Sequence, residues 1–453
     1  MDRQYNKPLN FFIKMNKMFK AKIFPVNQKW FSILILLLLA NLFATVANGQ
    51  APLTINECYN LARKNYPLIK QRDLITKTKD YSVSNAAKGY LPAFSVNGQA
   101  TYQSTVTTFP FTIPIKGFTL PQYSKDQYKI FGELDQTIYD GGVISNQKQN
   151  AEANEVIQQQ SLEVELYALY DRVNQLFFGA LLVNEQLKQN DLLKADVQNG
   201  IDKAKALVAN GTAYRSSVDE LSAQILQTDQ ARVELVATKK AFLDMLGLFI
   251  NSQLDENTVL EKPAEPELSQ TISRPELLSY EYQKKTFDLQ DKLLNAQLRP
   301  HFGFFAQGGY GRPGLNPLSN DFQWYYIGGL KLSWNLGSLY TLKNQRELLD
   351  INRKSLDVQK ETFLFNTNIT QKQQNADIEK YVQLVKKDDA IIALRESVKK
   401  AASAQLENGV LSAHDYINEV NNEDQARQNL ILHQMQLLQA EYSYQNTIGN
   451  IKN

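Results

Sequence analysis

The sequence predicts a mixed α+β membrane protein: four β-strands per chain, contributed to a shared twelve-stranded transmembrane barrel that continues into a long α-helical coiled-coil barrel of a trimer. Three observations lead there. One order of elements occurs twice, about 200 residues apart, far longer than a solenoid repeat. Four segments alternate apolar and polar residues over bilayer-crossing lengths. Two stretches of about 70 residues lack proline and hold helical periodicity.

The duplication is visible in quoted residues. Tyr90-Leu91-Pro92-Ala93-Phe94 opens a strand that reaches Gln99 and Tyr102, and Leu298-Arg299-Pro300-His301-Phe302 opens another that reaches Gln307 and Tyr310. Asn210-Gly211 and Asn408-Gly409 then end the two long helical runs. The expected organisation is a leader at 1–49 and a mature part at 50–453. Within the latter lie a first repeat (50–250, strands near 92–107 and 127–140), a linker at 251–272, and a second repeat (273–453, strands near 300–311 and 322–336).

Residues 1–49 read as a targeting signal. Lys14, Lys17, Lys20, Lys22 and Lys29 precede an apolar run from Trp30 to Ala47, and Ala47-Asn48-Gly49 offers small residues for cleavage. A retained anchor is the competing reading, and Met15 or Met18 is a possible start. Those 49 residues carry seven Lys/Arg and one Asp, so without them the formal charge moves from +2 to −4. That balance argues against a nucleic-acid partner, because phosphate binding leans on concentrated Lys/Arg. The lone Cys58 cannot form an intrachain disulfide.

Each strand has two solvents to face, since successive side chains point to opposite sides. Phe94, Val96, Ala100, Tyr102 and Val106 oppose Ser95, Asn97, Gln99, Thr101, Gln103 and Thr105. Tyr128, Ile130, Leu134 and Ile138 oppose Lys129, Glu133, Asp135 and Thr137. Phe302, Phe304, Ala306 and Tyr310 oppose Gly303, Gln307 and Gly309. Trp324, Tyr326, Leu330, Leu332, Trp334 and Leu336 oppose Gln323, Lys331, Ser333 and Asn335. A soluble sandwich would also alternate. Strand length, aromatic residues gathered at strand ends and ionisable residues on the polar face favour a membrane barrel with a wet lumen. Four strands cannot close one, because a membrane barrel needs about eight and an open edge in lipid leaves backbone groups unpaired. Three copies supply twelve.

The helical parts are Val143 to Asn210 and Thr341 to Asn408, each about 100 Å long if unbroken. Leu162, Leu166, Leu169, Val173, Leu176, Ala180, Val183 and Leu187 keep the 4-3 spacing of a coiled-coil seam. Leu430, His433, Leu437, Ala440, Tyr444 and Thr447 repeat it in the last helix. Each long helix is expected beside two shorter ones laid end to end, Tyr66 to Lys88 with Ala213 to Leu248, and Pro275 to Leu298 with Ala413 to Ile448. Asn251 to Ser273 and Ala51 to Asn65 are expected to form a belt.

Enzymatic signatures are weak. Gly309-Tyr310-Gly311-Arg312-Pro313-Gly314 spells a dinucleotide fingerprint, yet Pro313 and Pro317 lead into a loop rather than a helix. His301, His414 and His433 lack metal-ligand spacing. No cofactor is expected, and the chain does not read as an enzyme.

The chain resembles the TolC family of outer-membrane efflux ducts over essentially the whole mature part. The resemblance rests on Leu53-Thr54-Ile55-Asn56-Glu57-Cys58-Tyr59-Asn60-Leu61-Ala62, Tyr90-Leu91-Pro92, Ile138-Tyr139-Asp140-Gly141-Gly142 and the Gly211 and Gly409 hairpins, in that order. It implies a homotrimer in the outer membrane of a Gram-negative bacterium, with helices in the periplasm. It also implies docking to an inner-membrane pump through a periplasmic adaptor, for efflux or for type I protein secretion. A non-transporting structural role in the outer membrane is the alternative from another class. The resemblance places adaptor-contacting tips at Asn210, Gly211, Thr212, Asn408, Gly409 and Val410, and a periplasmic entrance at Asp415 and Asn418. Asp415 could equally cap the last helix. The family's latch residues correspond here to Leu406, Leu411 and Ser217, which puts such a latch in doubt.

Overall fold

The computed structural model of the chain describes residues 52–106, 108, 110–111, 114–117, 124–316 and 319–451. The expected leader lies outside them, as do Pro317 and part of the segment 107–125 between the first two strands. Every element below belongs to the compact unit Thr54–Asn453.

Helix α1, Ile55–Asn65, begins at a capping box in which Thr54 and Glu57 satisfy each other's backbone N–H groups. A 3-10 turn and α2, Gln71–Ala87, lead into β1, Ala93–Tyr102. Strand β2, Asp126–Tyr139, is followed by α3, Val143–Tyr167. The Asp140 carboxylate starts that helix by accepting from Gly142 N at 3.0 Å and Ile144 N at 2.5 Å, which satisfies donors the helix itself cannot. Then come α4, Leu169–Ala209, and α5, Arg215–Ile250. Helix α6, Pro275–Gln297, has proline in its first turn, where no donor is lost. Strands β3, His301–Arg312, and β4, Gln323–Ser333, precede α7, Leu339–Glu407, and α8, Ala413–Ile448. None of the described helices is long and apolar enough to cross a membrane.

The four strands form one antiparallel sheet in the order β1-β2-β3-β4. The outer edges of β1 and β4 have no strand partner among the described residues. Its register lines up one apolar face. Leu134 stands between Phe94 and Ala306, Ile130 pairs with Tyr310, and Tyr310 with Trp324. A bulge between Thr137 and Tyr139 shifts the register there. It moves Tyr139 opposite Phe302, with ring centroids 6.2 Å apart. At the far end Tyr310 lies 5.1 Å from Trp324 and 5.5 Å from Phe322. The strands are shorter than the alternation suggested: Val106 lies beyond β1, and Trp334 and Leu336 lie beyond β4.

Helix α4 packs on α5, and α7 on α8, while α8 also lies against α4. Nearer the sheet, α3 packs between α2 and α6. The first long run is not one helix. It breaks at Ala168, where the start of the α2 arm (Tyr66, Leu68, Ile69) and the end of α5 (Phe249) converge on Leu162, Leu166 and Leu169. The break falls where the two shorter partners meet, and Tyr167 is fixed there by donating to Asn446 O at 2.7 Å. Helix α7, in contrast, runs unbroken for 69 residues. At the helical rise that is about 100 Å. The belt segment 51–65 is largely the helix α1. In α8, Tyr444 of the seam read from spacing is buried in a cluster with Ile378 of α7 and Ile448, with Leu437 and Ala440 packed against it. Met435 and Leu438 are buried beside that seam, as α8 touches both α7 and α4.

Candidate functional site: the hairpin ends and the sheet

Both helical hairpins end in one local structure. Asn210 closes α4, Gly211 adopts φ 72°, and the next two N–H groups return to the helix, Gly211 to Val208 O at 3.0 Å and Thr212 to Leu207 O at 2.9 Å. Asn408 closes α7, Gly409 adopts φ 69°, and Gly409 and Val410 donate to Leu406 O at 3.0 Å and Gln405 O at 2.9 Å. This pairing of bonds satisfies the last carbonyls and requires a left-handed residue, which glycine supplies without a Cβ clash. All six tip residues are exposed.

Behind the tips the two hairpins share one apolar cluster. Val197, Ile201, Ala204, Leu221, Ala402, Leu406, Tyr416, Ile417 and Val420 are all buried in it, with Leu411 packed against them. The latch positions Leu406 and Leu411 are thus apolar packing residues, and Leu406 is only 2% exposed. Polar ties surround the cluster. Lys203 Nζ reaches Ser403 Oγ at 2.9 Å and Glu407 at 2.8 Å. Lys399 Nζ bridges Asp196 at 2.8 Å and Glu423 at 3.1 Å. Burial pulls the Lys399 pKa down, but the bonds to Asp196 and Glu423 outweigh it and leave it above the ordinary value. At the rim His414 Nδ1 lies 2.7 Å from Glu220, which raises the imidazole pKa by hydrogen bonding and by charge.

Asp415 is not the cap of α8. Ser412 is, accepting from Asp415 N at 3.1 Å, while its hydroxyl donates to the Asp415 carboxylate at 2.7 Å. A serine oxygen in that place satisfies a donor of the first turn. Asp415 and Asn418 are exposed, one turn apart. The fingerprint glycines Gly309 and Gly311 sit inside β3, paired with β4, so no phosphate-binding helix follows them. Among the described residues no group of three or more His, Cys, Asp or Glu is arranged to hold a metal ion.

The second surface is the sheet. Its apolar face has no cover among the described residues: Trp324 is 82% exposed, Tyr326 85% and Leu330 80%. The opposite face carries Ser95, Asn97, Gln99, Lys129, Glu133, Gln307 and Lys331, with Gln307 Nε2 donating to Glu133 at 2.9 Å.

The chain thus joins an open four-stranded sheet, one face apolar and the other largely polar, to helices of up to 69 residues. The model of the outer membrane efflux protein family matches residues 58–241 of the chain. Its fold is that of solved outer-membrane channels. CusC superposes with a TM-score of 0.61 at 13% identity, covering 87% of this chain and 91% of that one. The Campylobacter jejuni CmeC outer membrane channel gives 0.59 at 13%, covering 87% and 85%. The Neisseria gonorrhoeae MtrE outer membrane channel gives 0.60 at 12%, covering 87% and 88%. No curated protein matches the sequence.

Proposed function

We propose that the protein is the exit duct of a tripartite export system, a homotrimer that passively conducts substrates from periplasm to outside. The open sheet with its bare apolar face carries this reading. Three copies close twelve strands, seal both edges and put the polar faces around one lumen. A second surface supports assembly: Leu348, Ile351, Val358, Phe365 and Ile369 form an exposed stripe along α7. Its coiled-coil spacing suits a neighbouring copy's helices.

Energy comes from partners. An inner-membrane pump acts through a periplasmic adaptor that meets the exposed tips Asn210-Gly211-Thr212 and Asn408-Gly409-Val410. Three Asp415 carboxylates at the entrance favour cations, as charge rings in channels do. The test is ion current across a planar bilayer containing the purified protein. Stable unitary currents with cation preference, the preference falling in Asp415→Asn, are expected. A protein that inserts but passes no current is a scaffold, not a duct.

A further inference from the structure

The sheet places bulky side chains on the face where alternation anticipates polar ones. Phe131 and Phe305 share that face with Glu133 and Asp135, and β4 adds Tyr325 and Ile327. The ladder pairs Glu133 with Gln307, and Asp135 with Phe305, so the two carboxylates of β2 follow Phe131 along their own strand and meet Phe305 across from Asp135. Neighbours along one strand face are about 6.8 Å apart, within reach of a single organic ion.

Glycines opposite the rings make the room. Gly309 pairs with Phe131, and a Cβ there would stand 2.5 Å from the phenylalanine Cβ. Gly329 pairs with Phe305, and a Cβ there would meet its ring at 3.2 Å. Covering a cross-strand glycine steadies a sheet on either face, as the Phe94 ring does over Gly132 on the apolar side. On the polar side the same packing leaves half-buried rings facing the lumen. Glu133 is held between them, accepting from Gln307 Nε2 at 2.9 Å and from Asn97 Nδ2 at 3.5 Å. Towards the helices, Asp135 also lines a cavity of about 210 Å³ with Gly303, His301 and Lys331.

We infer that the Phe131, Glu133, Phe305 and Asp135 ladder is a retention site in the barrel lumen for organic cations that carry aromatic rings. The inference rests on the duct reading above. Ring faces attract a cation and stack on its aromatic groups, and the fixed carboxylates supply the opposite charge. Lys129 and Lys331 lie one row beyond either end of the ladder, which confines the negative field to the rings' neighbourhood. An aliphatic cation gains the charge without the stacking.

The test compares block of bilayer current by tetraphenylphosphonium and by tetrabutylammonium, which are similar in size and equal in charge. Tetraphenylphosphonium is expected to halve the current at about tenfold lower concentration. Phe131→Leu with Phe305→Leu, which keeps apolar volume and the strand fold, is expected to erase that difference while leaving potassium conductance near wild type. Glu133→Gln is expected to weaken block by both ions. Equal potency of the two ions in the wild type, or an unchanged difference in the leucine variant, overturns the inference. Absence of any current in the wild type overturns the duct reading and the inference with it.

Discussion

The Tyr416 ring lies directly over Gly200, so close that a methyl group at position 200 would overlap it, and the Tyr416 hydroxyl donates to Asp196 O at 3.0 Å. This contact joins α8 to α4 and locks the second hairpin onto the first behind the tips. Gly200→Ala is therefore expected to destabilise the helical part by about 1–3 kcal/mol through overpacking, despite alanine's better helix propensity. Thermal unfolding of the detergent-solubilised protein measures it. A rise in midpoint would show that the ring moves aside freely.

Lys399 holds two carboxylates together, and one of them, Glu423, is 2% exposed. Arg427 also pairs with Glu423, so removing the lysine leaves partial compensation. Lys399→Met should cost about 2 kcal/mol, with part recovered on adding Asp196→Asn. A double-mutant cycle on unfolding free energies reads the coupling, and strict additivity would mean that the bridge contributes nothing.

Glu441 is 8% exposed on α8, and its Oε2 has no hydrogen-bond partner among the described residues. Burial, and then the nearby Glu265, push its carboxyl up to about 7. A carboxyl whose pKa rises on folding disfavours the folded state once it must ionise. The penalty is absent below the unfolded value near 4.5, grows from there to about 7, and is complete above it. Glu441→Gln should thus stabilise the protein at pH 8, by up to about 3 kcal/mol, and change little at pH 4. Unfolding midpoints of both proteins across that range check the sign, and a glutamine variant that is less stable at pH 8 would contradict it.

The tips give a fourth expectation. Gly211 and Gly409 both hold positive φ. Valine at either position must adopt that left-handed conformation, at a cost of about 2 kcal/mol, which reshapes the exposed turn. Crosslinking from the tips to the adaptor should fall in both variants while bilayer currents persist. Undiminished crosslinking would remove the tips from the docking surface.

Much of this was legible in the chain because it depends on local rules. Alternation marked all four strands, proline-free stretches marked the helices, and the last helix spans Ala413–Ile448 as its spacing predicts. The misses have tertiary causes. The break at Ala168 arises because the α2 arm and α5 converge on one patch of leucines, which no local pattern encodes. The bulge between Thr137 and Tyr139, which alternation does not foresee, shifts the register at the end of β2. Phe131 and Phe305 escape a reading by alternation, which ranks a phenylalanine by hydrophobicity, whereas here glycines across the strand decide where a ring fits. The capping residue of α8, Ser412, stands three residues before Asp415, the cap that the sequence offers as one reading.

Everything functional depends on sister chains sealing the edges of β1 and β4. Native mass spectrometry of the protein released from detergent micelles tests that most directly. The account predicts a complex of three chains. A single chain, monodisperse and soluble without detergent, would contradict it.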